Sequence, residues 1–259
     1  MATGQDAAQR SRRTAQPGVI LGVLGVTGGV GASSLAAAAA VRAGALGRRT
    51  VLVDGQPWGG GLDVLLGLDA TAGLRWRDLS RARGPLDGGV LRRALPAEGE
   101  VAVLSWGRGL PPEQLPDPAT VLTALAAAAD LLVVDLPRPG APGAAAWWRC
   151  CDLLLVVATS ALSALAPVLL TLASLSRESL TCQTAVVRIG KEGRGARSGL
   201  PLPLVAETLG VRVISELHDD ADVAAGLMRG DPVGSRPGPL VDAADRVLAE
   251  VLTARQDAA

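Results

Sequence analysis

Between Gly28 and Ser34 the chain reads Gly-Gly-Val-Gly-Ala-Ser-Ser, directly after an apolar run, Val19–Val26, and directly before an alanine-rich stretch. Glycines at this spacing between a strand and a helix leave backbone N–H groups pointing into the turn, where the helix dipole also favours negative charge. The chemistry of such a loop is the holding of phosphate. Its usual ending is Gly-Lys-Ser/Thr, with the lysine on the β- and γ-phosphates and the hydroxyl on Mg²⁺. Here the ending is Gly31-Ala32-Ser33, so the hydroxyl is kept and the cation is lost. Two carboxylates close apolar runs further on: Asp54 ends VLVD, and Asp135 ends DLLVVD. An apolar strand closed by aspartate has the form of a magnesium-holding Walker B segment. The expected anion site is therefore Gly28, Gly29, Val30, Gly31, Ala32, Ser33, Ser34 and Asp54, with Ser33 and Asp135 as ligands of Mg²⁺.

A dinucleotide site is the competing reading of these glycines. It requires G-x-G-x-x-G and an acid at the end of the second strand. Asp54 stands near the right distance, but the loop lacks that pattern and the Asp135 strand is left unexplained.

The elements that must position these groups alternate along the chain. Strand character is expected at Val19–Val26, Thr50–Asp54, Val101–Ser105, Leu131–Asp135, Leu153–Ala158, Thr184–Val187 and Val211–Ile214. Helix character is expected at Ser33–Leu46, Pro118–Ala129, Gly143–Cys150, Ser160–Ser176, Leu202–Leu209, Asp220–Arg229 and Pro239–Ala254. Continuous apolar strands suit a parallel sheet covered on both faces. The alternation predicts an α/β fold: a doubly wound, mainly parallel sheet of about seven strands with helices on both faces. Its ligand belongs at the carboxyl ends of the strands. We expect residues 1–16 to be a disordered tail, 17–255 a single domain and 256–259 a second tail.

Composition narrows the chemistry. Lysine plus arginine equals aspartate plus glutamate at 25 each, which argues against a nucleic-acid-binding field. The chain has one lysine, Lys191, and one histidine, His218, so histidine-based metal sites and catalytic dyads are nearly excluded. Cys150, Cys151 and Cys182 form no C-x-x-C and read as core thiols in a reducing cytosol. The uncharged stretch Leu153–Ser176 is long enough to span a bilayer, but Thr159-Ser160 is a helix N-cap signal and splits it into strand and helix. No stable membrane insertion is expected, and the location is cytoplasmic. Four of the tryptophans read as core filling. Trp58, beside three glycines, reads as a possible partner contact.

Several segments together carry a family resemblance. Thr27-Gly28-Gly29-Val30-Gly31-Ala32-Ser33 is similar to the K-G-G-x-G-K-[ST] loop of the MinD/ParA family of deviant P-loop ATPases. Val51–Gly67, VLVDGQPWGGGLDVLLG, resembles that family's switch region. Asp135-Leu136-Pro137 resembles its Walker B ending, and Gly230-Asp231-Pro232-Val233 the stretch before its final helix. The loop, the GGGLD turn and GLRW at Gly73–Trp76 resemble more closely the actinobacterial CpaE-like or septum site-determining subgroup, found beside Tad/Flp pilus and secretion genes.

The resemblance implies ATP or ADP with Mg²⁺ as cofactor and proteins of the septum or pilus-secretion machinery as partners. It also implies a homodimer as one possible assembly, and recruitment by a partner to the pole or inner membrane face. The departures then decide the activity. Thr27 and Ala32 stand where the family has its two lysines, and Gln56 where it has the carboxylate that positions water. Losing a phosphate lysine weakens binding by roughly tenfold or more. Phosphoryl transfer depends on positioning and charge neutralisation, so hydrolysis is expected to be weak or absent. Arg138, just past the Walker B segment, has two readings, a substitute cation and a solvated loop arginine, of which the solvated arginine is preferred. The last helix carries an apolar stripe but is not basic, and is expected to dock on its own sheet.

Overall fold

The computed structural model describes residues 17–80, 82, 84–112, 114–180, 184–188 and 200–257. The expected tail 1–16, Cys182 and Lys191 lie outside the described residues. In chain order the elements are β1 (Val19–Gly25), α1 (Ala32–Ala45), β2 (Thr50–Asp54), α2 (Leu62–Leu65), α3 (Trp76–Leu79) and α4 (Gly88–Ala94). Then come β3 (Ala97–Glu98), β4 (Val101–Leu104), α5 (Pro118–Ala127), β5 (Leu131–Asp135), α6 (Ala144–Trp148) and β6 (Leu153–Thr159). A 3₁₀ turn, Leu162–Ala164, leads into α7 (Leu165–Arg177), followed by β7 (Thr184–Arg188), α8 (Leu202–Leu209), β8 (Arg212–Leu217), α9 (Ala221–Arg229) and α10 (Pro239–Asp257).

The strands form one eight-stranded sheet in the order β3-β4-β2-β5-β1-β6-β7-β8. Every neighbouring pair is parallel except β3–β4. The seven expected strands are all present. The eighth, β3, is a two-residue antiparallel edge too short to show a period. The central strands are apolar on both faces because both are covered. On one face Leu122, Leu125, Trp148, Val168 and Leu175 pack against the sheet, and on the other Leu35, Ala39, Ala43, Ala244 and Val247 do so.

α1 lies deepest, with Ala36–Ala40 wholly buried. Alanine forms helix readily, and its small side chain lets α1 sit close to the sheet beneath α10. The stripe of α10 docks as expected: Leu240, Ala244, Val247 and Val251 are buried, and Asp245 accepts both hydrogen bonds of an Arg42 fork at 2.8 and 3.1 Å. α10 also continues through Gln256 and Asp257, into the stretch expected as tail, since nothing in Ala254-Arg255-Gln256 breaks a helix.

The expected helix Ser160–Ser176 is a strand exit, a 3₁₀ turn and then α7, so the long apolar stretch never forms one rod. Among the described residues no helix is long and apolar enough to cross a membrane. Cys150 and Cys151 are thiols whose Sγ atoms donate to the carbonyls of Ala146 and Trp147. Desolvation pushes the Cys151 thiol far above its ordinary pKa, which disfavours the reactive thiolate.

Candidate functional site

β1 lies between β5 and β6, while the chain goes next to β2 on the far side of β5. This is the topological switch point of the sheet, and crevices for ligands open there at the carboxyl ends of the strands. The β1–α1 loop fills that place. Gly29 and Gly31 have φ of +75° and +91°, a left-handed conformation that side chains oppose. Gly31 is the N-cap of α1 and no side chain caps that end, so the first turn of a 14-residue helix faces the loop with its dipole uncompensated. The backbone here is a nest for an anion.

β5 brings Asp135 to this loop. Asp135 pairs with Val23 on one side and with Asp54 on the other, and is almost wholly buried. Ser33 Oγ, on the first turn of α1, donates to Asp135 Oδ2 at 2.6 Å. Burial pushes the Asp135 carboxyl up to about 6, against the opposing pull of the Ser33 hydroxyl and the Arg138 charge. The two residues expected on Mg²⁺ are therefore in contact.

A cavity of about 510 Å³ opens over the loop. Gly29, Val30, Gly31, Ala32, Ser33 and Ser34 line it, as do Asp135 and Gln56. Gly28 is not among its lining residues; a β-carbon built there would lie 3.5 Å from a terminal nitrogen of Arg138, which does line it. The opposite wall comes from the end of β8 and the start of α9, at Leu217, His218, Asp219 and Asp220. That wall was not assigned from sequence; the rule that ligands gather where parallel strands end was the one signal for it. His218 is a surface residue, as expected, with Nε2 3.0 Å from Glu216.

Asp54 stands apart from this cavity. Its Oδ1 accepts the Gln56 N–H at 2.8 Å and its Oδ2 the Leu62 N–H at 3.2 Å, so its carboxylate organises the loop from Gly55 to Gly61. Burial pushes the Asp54 carboxyl up to about 7; the neighbouring charges of Asp135 and Asp63 add to this, and the two backbone N–H groups oppose it. Its wall belongs to a second hollow of about 300 Å³, shared with Gln56, Asp63, Arg75 and Trp106. Gln56 lines both hollows, and its amide donates to the Leu136 carbonyl at 2.6 Å. Trp58 beside it is 79% exposed, while Trp76, Trp106 and Trp148 are buried and Trp147 is half-buried against the same core.

Over 252 residues the chain is 32% identical to the uncharacterized protein Rv3660c of Mycobacterium tuberculosis, covering 94% of this chain and 67% of that one. The chain belongs to the family of that mycobacterial protein. No family model matches it. Among solved structures it is similar to the septum site-determining protein MinD of Pyrococcus horikoshii complexed with Mg-ADP, with a TM-score of 0.72 at 20% identity over 90% of this chain and 95% of that one. It is also similar to a ParA family ATPase of Chlorobium tepidum, with a TM-score of 0.73 at 18% identity over 90% and 98% of the two chains. The MinC:MinD cell division complex of Aquifex aeolicus gives 0.70 at 19% identity over 89% and 96%. The fold is that of the MinD/ParA P-loop ATPases.

Proposed function

We propose that the chain is a lysine-less nucleotide-binding regulator of the MinD/ParA type, with weak or no ATP hydrolysis. It acts through protein partners as a positioning factor for septum placement or for Tad/Flp pilus-secretion assembly. The observation that carries this reading is a loop with the shape of a phosphate cradle and an intact Ser33–Asp135 pair, without a lysine at 27 or 32.

The residues present fit the cofactor. The helix end and the loop N–H groups suit phosphate oxygens, and the hydroxyl and carboxylate of Ser33 and Asp135 are hard oxygen donors suited to Mg²⁺. ATP or ADP would be held by Gly28 to Ser34, and Mg²⁺ by Ser33 and Asp135. Bound Mg²⁺ supplies the divalent charge that neutralises phosphate oxygens. In this chain the groups beside the loop on the Asp54 side are already occupied: Asp54 holds two backbone N–H groups, and the Gln56 amide is held by Leu136. No carboxylate stands at position 56 to orient water. The neutral net charge and a final helix docked on its own sheet favour recruitment by a protein, at the pole or inner membrane face, over direct contact with nucleic acid or lipid.

The Ser33–Asp135 pair also suits a second reading, an active ATPase cycling between monomer and nucleotide-sandwich dimer. Calorimetric titration with Mg-ATP and a steady-state phosphate-release assay, on the native chain and on Ala32→Lys, separate them. The regulator reading expects measurable binding, tightened about tenfold or more by Ala32→Lys, and turnover near background. Turnover at ordinary ATPase rates would favour the cycling enzyme. No binding by either protein would remove the nucleotide from both readings.

A further inference from the structure

We propose that Arg138 stands in for the missing loop lysine, as the cation that binds the phosphates of the nucleotide. The inference rests on the reading of the loop as a nucleotide site. Arg138 follows Asp135 by three residues, so the strand that delivers the magnesium-side carboxylate also delivers the arginine. The backbone between them is tied on several sides. The Leu136 N–H donates to the Val23 carbonyl at 2.9 Å, the Gln56 amide donates to the Leu136 carbonyl, and the Trp148 indole N–H donates to the Pro137 carbonyl at 3.0 Å. These bonds fix the base from which Arg138 projects.

The side chain reaches over the loop. A β-carbon built on Gly28 would lie 3.5 and 3.7 Å from the two terminal guanidinium nitrogens. The guanidinium therefore borders the space that a side chain at Gly28, the glycine that opens the cradle, would occupy. Arg138 lines the same cavity as Gly31, Ser33 and Asp135, and its charge is felt by Asp135. Among the described residues lining that cavity it is the only arginine or lysine, and the acidic side chains there are Asp135, Asp219 and Asp220. Those carboxylates oppose a polyphosphate, and a cation facing it adds to the pull of the loop N–H groups and the helix end. A guanidinium keeps its charge at every relevant pH, and its planar fork matches paired phosphate oxygens. Loop position alone favours the solvated arginine over the substitute cation; the place of the side chain over Gly28 favours the cation. The side chain is exposed, but it leans onto the glycine loop.

The test is calorimetric titration of the native chain, Arg138→Ala, Arg138→Lys and Arg138→Ala/Ala32→Lys with Mg-ATP, Mg-ADP and adenosine, with circular dichroism to follow folding. Arg138 is exposed, so its replacement leaves stability nearly unchanged. Arg138→Ala is expected to weaken Mg-ATP about tenfold to a hundredfold, the loss of one charge-assisted contact, and to leave adenosine unaffected. Arg138→Lys falls between, since the charge stays and the fork is lost. Ala32→Lys in the Arg138→Ala background restores Mg-ATP affinity. Native binding of Mg-ATP that Arg138→Ala leaves unchanged overturns the inference and keeps the nucleotide site. Absence of nucleotide binding by the native chain and by Ala32→Lys overturns both.

Discussion

The two aspartates that face each other across β5 and β2 end their strands in the same register, yet their surroundings differ. Asp135 meets a hydroxyl, a glycine loop and an open cavity. Asp54 meets backbone N–H groups, and its own carbonyl accepts the buried Trp76 indole N–H at 2.9 Å. Trp76 in turn stacks on Trp106, with ring centroids 5.5 Å apart, and meets Trp147 edge-on at 5.4 Å. Behind them Arg75 and Asp63 form a buried ion pair at 3.1 Å. The loop side is thus held open by glycines, with few side-chain bonds to give up. The switch side is cross-braced, and its polar groups are spent on holding the chain in place. A hydrolase needs its switch side free to rearrange around water, whereas a binder needs only the loop side. The proposed regulator, with weak or no hydrolysis, is consistent with that contrast.

The contrast breaks most visibly at Arg75. Its guanidinium donates to Asp63 and to the carbonyls of Leu68, Thr71 and Gly73, all within 3.2 Å. Arg75→Ala strands a buried carboxylate and three carbonyls. It is expected to cost about 3–5 kcal/mol in urea denaturation. Arg75→Lys should recover little of this, because an ammonium cannot reach four acceptors as a fork does. A loss under 1 kcal/mol would mean that the switch side is not braced in the way described.

The pH dependence of stability sharpens the same comparison. Asp54 has a folded pKa of about 7 against an ordinary carboxylate value of 3.8, and that of Asp135 is about 6. Between those limits the folded protein binds more protons than the unfolded chain. Stability therefore falls as pH rises from about 4 to 7, and is regained on acidification. The swing from Asp54 is on the order of 2–4 kcal/mol. Asp54→Asn should flatten most of that slope in urea midpoints measured from pH 5 to 8 without nucleotide. An unchanged slope would show that Asp54 is better solvated than its burial indicates.

What could be read from the sequence follows the range of the interactions. The central strands are runs of Val, Leu and Ile because both of their faces are covered, so composition alone exposes them. The loop and the Ser33–Asp135 pair were legible because each half is local: a hydroxyl after glycines, and an acid closing an apolar run. β3 was not legible, since two residues carry no period. Two short helices escaped for a related reason. α2 has four residues, and α4 opens on two glycines. The signal for α4 was Asp87, whose Oδ1 accepts the Val90 N–H at 2.8 Å as an N-cap. The position of Arg138 depended on how Leu136 and Pro137 leave β5 and on the missing β-carbon of Gly28. The Arg75–Asp63 pair closes a glycine-rich turn whose path no local rule fixes.

The smallest effect on stability is expected at Trp58, on the same switch segment as Asp54. Trp76 ties that segment to the core, but the Trp58 indole is 79% exposed and fills nothing. Trp58→Ser should change stability by no more than about 0.5 kcal/mol and leave Mg-ATP affinity within about twofold. It should nevertheless lower the acrylamide-quenchable tryptophan fluorescence, because Trp58 is the exposed indole, while Trp147 is half-buried and Trp76, Trp106 and Trp148 are buried. A large apolar side chain held in water at the tip of a braced segment is available for a partner at little cost to the fold. Unchanged quenching in Trp58→Ser would place this indole against the protein. Unchanged stability together with lowered quenching would leave Trp58 as the exposed end of a segment whose other side chains are committed to structure.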